Sequence, residues 1–495
     1  MFRTLKRLLP GRGMLAFRYR GTIIRTSAFK LLFLAVLTIS MVMFMRLQGL
    51  FLAMPVQNED KQFGSVLPKQ HPKHRINYIP LPTDLLSSPR TSEFTTNNFL
   101  AARTSKKHVA LPTPNLILPS LGDKKGTEPP IDIEKVRKII QNINSQERIQ
   151  NFEKFPSPLN ENSMIIIIQV HNRPDYFSHL LRSLSAVSGI QDGLLVISHD
   201  FYSDFINSLV DAINFCKVLQ IFFPYSMQLY PHEFPGTDPK DCPRDATRTR
   251  AKEIGCNNAD HPDKYGHYRE AKFTMTKHHW WWKANMVFDG LNITKNYNGP
   301  VVFLEEDHYA SPDFYHVLKK LYETKLKDSN CDGGCDILTL GTYTLTPNYK
   351  TAGENVVELQ KWRSVRHNMG MAFDRNTWES IKDCKQLFCA YDDYNWDWTL
   401  MRISQTCLRK PLKALVMKTP RVFHIGECGI HHKKKECNPD QTVSKFNSII
   451  QDNADSFFPA SLKVEHKFGE VSSSQPNGGW GDTRDHDLCL SFVKT

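Results

Sequence analysis

No cysteine occurs before Cys216, and the stretch from Pro55 to about Pro158 also lacks tryptophan while carrying many prolines. Runs such as LPKQHPKHRINYIPLPTD and LPTPNLILPS exclude regular helices and central strands, because proline has no amide hydrogen and a fixed φ. Residues 55–158 are therefore expected to be an extended stem, with helical apolar spacing only at Ile131–Asn144. Acidic residues are missing from positions 1–30, where Arg3, Lys6, Arg7, Arg12, Arg18, Arg20, Arg25 and Lys30 stand. Those eight account for most of the formal net charge of +12, so the basicity belongs to a tail and no nucleic-acid partner is expected. Internal repeats and low-complexity tracts are absent as well.

Charge is absent from Leu31–Met45 (LLFLAVLTISMVMFM), and after Arg46 the run LQGLFLAM extends the apolar character to Met54. A membrane span needs about 20 residues, which this segment supplies if Lys30 and Arg46 snorkel towards the interfaces. The basic lead is too long for a cleaved signal peptide, and no clear small-residue cleavage site follows. Positive charge ahead of the span orients the N-terminus to the cytoplasm and the rest to a lumen. The expected plan is a cytoplasmic tail (1–30), a type II signal anchor (31–54), the stem (55–158) and a folded luminal domain (159–495).

An oxidising lumen lets ten of the eleven cysteines pair, leaving one over. Cys216, in the apolar stretch NFCKVLQIFF, is expected to be that one. A zinc site is not expected, since Cys331 and Cys335 are only two thiols and no second CxxC exists. Asn292-Ile-Thr is the single glycosylation sequon.

Order begins at Met164. MIIIIQV reads as a buried strand, followed by a helix (Tyr176–Val187), a second strand LLVISHD (Leu194–Asp200), a helix (Phe201–Asn214) and a third strand, VLQIFFPY. That alternation predicts a doubly wound α/β sheet, whose ligands sit at the carboxyl ends of its strands. Those ends carry His171-Asn172-Arg173 and His199-Asp200. A helix is expected over Phe273–Asp289, with Phe273, Trp280, Ala284, Val287 and Phe288 on one broad face. Trp280, Trp281 and Trp282 point in different directions on a helix, which favours core over a carbohydrate platform. VVFLEEDHY (Val301–Tyr309) reads as a strand whose apolar run stops at Glu305-Glu306-Asp307. Acids at that position either take a hard divalent cation or are simply solvated.

The motifs QVHNRP (Gln169–Pro174), SHDF (Ser198–Phe201), QLYPHEFPG (Gln228–Gly236), GHYREAKF (Gly266–Phe273) and TKHHWWWK (Thr276–Lys283) follow one another. FLEEDHYASPDFYHV, HNMGMAF, YDDYNWDWTL, RVFHIGECGIHHKK and NGGWGDTRDHDLC complete the series. From about Met164 to Cys489 this set resembles the N-acetylglucosaminyltransferase II family, while the N-terminal third shares only its layout. The resemblance implies a GT-A (Rossmann-like) domain that moves N-acetylglucosamine from UDP-GlcNAc to O2 of the α1,6-arm mannose of N-glycans. It also implies Mn²⁺ as cofactor, the Golgi membrane as location, a glycoprotein acceptor, and leaves a homo-oligomer open.

Transferred residue by residue, the resemblance makes Asp307 and His424 the ligands of Mn²⁺. Gln169, Val170, His171, Asn172, Arg173 and Asp200 would line the donor pocket, with Lys277 a further donor contact. Glu305, Asn368 and Trp396 would face the acceptor. Asp397, in YNWDW, would be the general base: an α-linked donor and a β-linked product require inversion, hence one carboxylate to take the mannose hydroxyl proton. The implied disulfides are Cys242–Cys256, Cys331–Cys335, Cys384–Cys407, Cys389–Cys489 and Cys428–Cys437. Cys331 and Cys335 depart from the family's CxxC spacing by one residue, and the loop from Thr344 to Val357 matches poorly. The run from His431 to Lys435 is either a diphosphate contact or a solvated loop. A sister transferase serving the α1,3-arm would share the fold and differ in its loops. A non-catalytic lectin is disfavoured by the intact acids, Asp397 and His424.

Overall fold

The structure is a computed structural model that describes residues 14–19, 22–27, 111–112, 116–120 and 132–494, apart from 161–162, 330, 332–333, 344–346, 427–437, 468 and 470–474. The chain divides into two units, Met1–Ala101 and Ala102–Thr495. In the first, β1 (Met14–Tyr19) and β2 (Thr22–Ser27) form an antiparallel hairpin whose register closes at Tyr19 and Thr22. The expected anchor, 31–54, lies outside the described residues. Among the described residues no helix is long and apolar enough to cross a membrane.

The second unit is built on one large mixed sheet. Its strands are β3 (Ile149–Gln150), β4 (Ile165–Val170), β5 (Leu194–His199), β6 (Lys217–Phe222) and β7 (Val301–Glu305), then β9 (Ile337–Thr339), β10 (Val356–Lys361), β11 (Met371–Phe373), β12 (Lys413–Met417) and β14 (Lys463–His466). Two short strands, β8 (His308–Ala310) and β13 (Val422–His424), pair with each other beside it. The order across the large sheet is β14-β10-β12-β9-β11-β7-β4-β5-β6-β3. Strands β7, β4, β5 and β6 are parallel neighbours, as the continuous apolar runs required. Chain order reverses at β4, with β5 on one side and β7 on the other, so the crevice at the carboxyl ends opens there.

Strand alternation divides the core in two. Ile166, Ile168 and Val170 face α2 (Pro174–Ser185) and α3 (Asp204–Asp211), packing on Phe177, Leu180, Ile206 and Leu209. Ile165 and Ile167 face α4 (Ala271–Asn285), beside Trp280, Trp281 and Phe288. The register sets Gln169 against Ser198 on one side and Glu305 on the other, giving that second face a polar end.

Two segments differ from the sequence reading. Residues 133–150 lie within the expected stem: α1 (Ile133–Gln146) forms where the helical spacing was read but packs on the folded domain, and β3 joins the sheet beside β6. Val136 and Ile140 of α1 pack on Phe222 and Leu229, and the Asn144 side chain bonds both the amide and the carbonyl of Phe222. The expected strand Val301–Tyr309 is divided between β7 and β8, because Glu306 and Asp307 leave the ladder to meet Arg173.

Helix α4 is buried on nearly every side rather than on one face, and Trp280, Trp281 and Trp282 are all core residues. It lies between the sheet and a second layer made of α5 (Lys385–Ala390), α6 (Trp396–Thr406) and α7 (Thr483–Ser491). That layer is stapled by Cys384–Cys407 and Cys389–Cys489. Cys242–Cys256 and Cys331–Cys335 also form, and Cys216 is free and buried. Cys428 and Cys437 lie outside the described residues.

Candidate active site

The ends of β4, β5 and β7 bring most of the expected donor and metal residues together. Gln169 is half-buried, and its Oε1 accepts a hydrogen bond from Lys283 Nζ at 2.5 Å. The Asp200 carboxylate is shared: Oδ1 lies 2.6 Å from His171 Nδ1, and Oδ2 lies 3.3 Å from His279 Nδ1. Burial alone would raise the Asp200 pKa, but these two imidazoles outweigh it and hold the acid below the usual carboxylate range. His171 and Asn172 stand exposed at the mouth. Val170 is different from its neighbours: its side chain is sealed in the core, and its carbonyl accepts from the Asp200 amide at 3.1 Å.

Beyond β7 the three acids diverge. Glu306 is buried and receives the Arg173 Nε at 2.5 Å and the His171 amide at 2.9 Å. Burial pushes its pKa up to about 7, against the pull of Arg173. Asp307 accepts from Arg173 Nη1 at 2.9 Å, and His424 Nε2 lies 3.5 Å from its Oδ2. His424 arrives on β13, whose pairing sets it opposite His308, and the next residue, Ile425, donates its amide to the Asp307 carbonyl at 2.9 Å. Burial would raise the Asp307 pKa, yet the bond with His424 and the charge of Arg173 hold it below the usual range.

These residues suit a divalent cation. Asp307 Oδ1 is buried without a hydrogen-bond partner, which leaves an oxygen ligand to spare. A Cβ added at Gly426 would lie 2.3 Å from Asp307 Oδ2, so only glycine keeps that side of the carboxylate open. Glu305, Asp307 and His308 can place ligand atoms within 4.8 Å of one another. His308 Nδ1 accepts from the Glu305 amide at 3.2 Å, which leaves Nε2 as its outer nitrogen.

Across the crevice Asp397 occupies the first turn of α6. It is half-buried, and burial raises its pKa to about 7, helped by the nearby charges of Asp393 and Glu305. Asn368 Nδ2 donates to Asp397 Oδ2 at 3.0 Å, and Tyr343 Oη donates to Asn368 Oδ1 at 3.1 Å. Trp396 stacks on Trp280 with centroids 4.4 Å apart and an interplanar angle of 2°, so one of its faces belongs to the core.

Lys277 is set apart from the donor residues. It is wholly buried, and its Nζ donates to the carbonyls of Tyr391 (3.1 Å) and Asp393 (2.9 Å), ahead of α6. The lysine that reaches the strand-end cluster is Lys283, about 1.7 turns farther along α4, which the sequence reading passed over. Its signal was its spacing: His279 and Lys283 are four residues apart, hence on one helix face. His308 was equally visible beside the acids. The run from His431 to Lys435 lies outside the described residues. Asn292 is exposed, and its side-chain amide donates to Glu147 Oε1 at 3.2 Å.

Comparison with known proteins adds the remaining observation. The family model described as N-acetylglucosaminyltransferase II (MGAT2) matches residues 137–489. A protein of Rattus norvegicus named alpha-1,6-mannosyl-glycoprotein 2-beta-N-acetylglucosaminyltransferase is 46% identical over 360 residues, which is 72% of this chain and 80% of that protein. Its namesake in Homo sapiens is 47% identical over 360 residues, 72% of this chain and 79% of its own. The Arabidopsis thaliana protein of that name is 35% identical over 350 residues, 70% of this chain and 77% of its own. A crystal structure of S. aureus TarS 1-349 aligns with a TM-score of 0.25 at 12% identity, covering 59% of this chain and 72% of that one, a likeness too slight to bear on the fold.

Proposed function

The chain belongs to the N-acetylglucosaminyltransferase II family, and from that membership we propose how its site works. The enzyme is an α-1,6-mannosyl-glycoprotein 2-β-N-acetylglucosaminyltransferase, adding N-acetylglucosamine to the α1,6-arm mannose of N-glycans. On our reading the domain is of GT-A type, the donor is UDP-GlcNAc, and the anomeric carbon is inverted in a single displacement.

The observation that carries the chemistry is Asp397, a half-buried carboxylate titrating at about 7 within electrostatic reach of Glu305. A base poised near the working pH can be largely ionised and still hold a proton well. Asp397 takes the proton of the mannose 2-hydroxyl as that oxygen attacks C1 of the sugar from the face opposite UDP. The bond from C1 to the diphosphate breaks, and UDP leaves with that electron pair. Asn368 orients Asp397 by holding one oxygen, which leaves the other for the acceptor.

On the donor side Asp200, held by His171 and His279, and Gln169, held by Lys283, present acceptors suited to uridine and ribose. Asp307 and His424 would hold Mn²⁺, with Glu305 and His308 close by. Bound there, the ion supplies positive charge against the leaving diphosphate. Arg173 keeps Glu306 and Asp307 in place from behind. We assign the protein to the Golgi membrane from its family membership, and read it as a single-pass type II protein because of its basic tail and the apolar segment 31–54.

The test is transfer by the purified protein with UDP-GlcNAc and Mn²⁺, on glycans with and without a prior GlcNAc on the α1,3-arm. New β1,2-linked GlcNAc on the α1,6-arm mannose supports the reading. Transfer to the α1,3-arm instead would move the chain to the sister activity.

A further inference from the structure

We propose that Lys277 is a positioning residue for the base, and that through it helix α4 ties the acceptor half of the site to the donor half. The proposal rests on the reading of Asp397 as the base. A fully buried ammonium is costly unless its hydrogens are used, and here they are spent on backbone. Nζ reaches the carbonyl of Tyr391 at 3.1 Å and that of Asp393 at 2.9 Å, and lies 4.1 Å from the centre of the Trp480 ring.

The segment it holds leads directly into α6. The Asp393 carboxylate is fully engaged: Oδ1 accepts the amide and side chain of Asn395, and Oδ2 accepts the amide and side chain of Asn477. Its carbonyl also receives Thr399 Oγ1 at 3.3 Å, from the first turns of α6. Asp397 sits between those fixed points. The charged groups facing Lys277 are Asp392, Asp393 and Asp485, from the loop and from α7. Burial lowers its pKa to about 7, against the pull of these three acids.

The same helix serves the opposite half-site. His279 meets Asp200 at 3.3 Å, and Lys283 donates to Gln169 at 2.5 Å. Lys277 and Lys283 are separated by about 9 Å along a helix axis. A packed helix does not stretch, so the base loop and the donor pocket keep a constant spacing. Lys277 therefore acts on the distance between the mannose oxygen and the anomeric carbon without touching either substrate.

The experiment compares Lys277→Met, Lys277→Arg, Asp397→Asn and the double variant Lys277→Met/Asp397→Asn in the full-length protein. Lys277→Met is expected to lower kcat by about 10–100-fold, the scale of a small misplacement, with the KM for UDP-GlcNAc unchanged. Lys277→Arg should restore part of that loss. The double variant should turn over no more slowly than Asp397→Asn alone, because the lysine acts through the base. A raised donor KM with kcat intact would make Lys277 a donor contact and overturn the proposal. So would losses that multiply in the double variant, which indicate a general structural role. Should Lys277→Met not fold, Lys277→Arg and the double variant Lys277→Arg/Asp397→Asn give the same comparison. If Asp397→Asn keeps its kcat, the base assignment itself fails; a crippled Asp397→Asn beside a normal Lys277→Met removes only the tie.

Discussion

At Asp397 the requirement of the reaction and the environment of the residue agree. Inversion needs one base, and burial beside Asp393 and Glu305 raises this carboxylate from its ordinary 3.8 to about 7. Asp397→Asn keeps the shape and the Asn368 contact while removing the basicity. Its kcat is expected to fall by about 10²–10⁴-fold with UDP binding retained, as steady-state kinetics and calorimetry would read. The wild-type rate should climb as pH rises through about 7 and level off above it, since only the ionised form accepts a proton. Stability runs the other way. The folded protein still holds this proton where the unfolded chain has lost it, so raising pH from about 4 to about 7 removes stability from this site. Asp397→Asn should therefore melt no lower than wild type at pH 8, and any advantage should vanish towards pH 4. Asp307→Ala and His424→Ala should weaken Mn²⁺ and UDP binding without unfolding the domain; unchanged Mn²⁺ affinity in both would remove them as ligands.

Among the elements, α1 and β3 have the clearest consequence. Val136 and Ile140 cover Phe222 and Leu229, and Asn144 closes the edge of β6 with two bonds to Phe222. Fully burying an aliphatic side chain contributes about 1.5–3 kcal/mol each, so the pair matters to a domain of ordinary stability. A fragment beginning at residue 132 should give a cooperative melt at markedly higher temperature than one beginning at 159. Equal melting temperatures would make α1 a dispensable part of the stem. The bridge Cys389–Cys489 joins α5 to α7 across 100 residues of sequence, and its loss is expected to cost about 2–5 kcal/mol. Differential scanning of Cys389→Ala/Cys489→Ala against Cys216→Ser would show it, because Cys216 is unpaired.

For the whole molecule, the proposed orientation gives a direct test. A basic tail followed by an apolar segment predicts that sealed microsomes protect the second unit from protease and leave only the tail accessible. Digestion of the catalytic part from outside would reverse the topology. The same orientation puts the four disulfides of the described residues in an oxidising compartment, which is where such bridges persist.

Local sequence pattern alone set the parallel strands β4, β5, β6 and β7, since four- to six-residue apolar runs ending in polar residues have few other uses. It determined the tryptophan-rich core helix, the free Cys216, and the neighbourhood of Asp200, Asp307 and Arg173, because each motif stands at a strand end and strand ends converge in this topology. Periodicity is local, however, and the remaining features depend on residues far apart in the chain. Residues 133–150 read as stem because one 14-residue helix and two strand residues have little to bury until Phe222 and Leu229 are beside them. The run Val301–Tyr309 read as one strand because nothing local shows that Arg173 draws Glu306 and Asp307 out of the ladder. Lys277 and Lys283 stand at the two ends of one short motif, and only the tertiary structure assigned them to opposite halves of the site. A helix buried all round can send each polar side chain to whichever backbone or carboxylate packs against it, and those partners, Asp393 and Gln169, lie more than a hundred residues away in the chain.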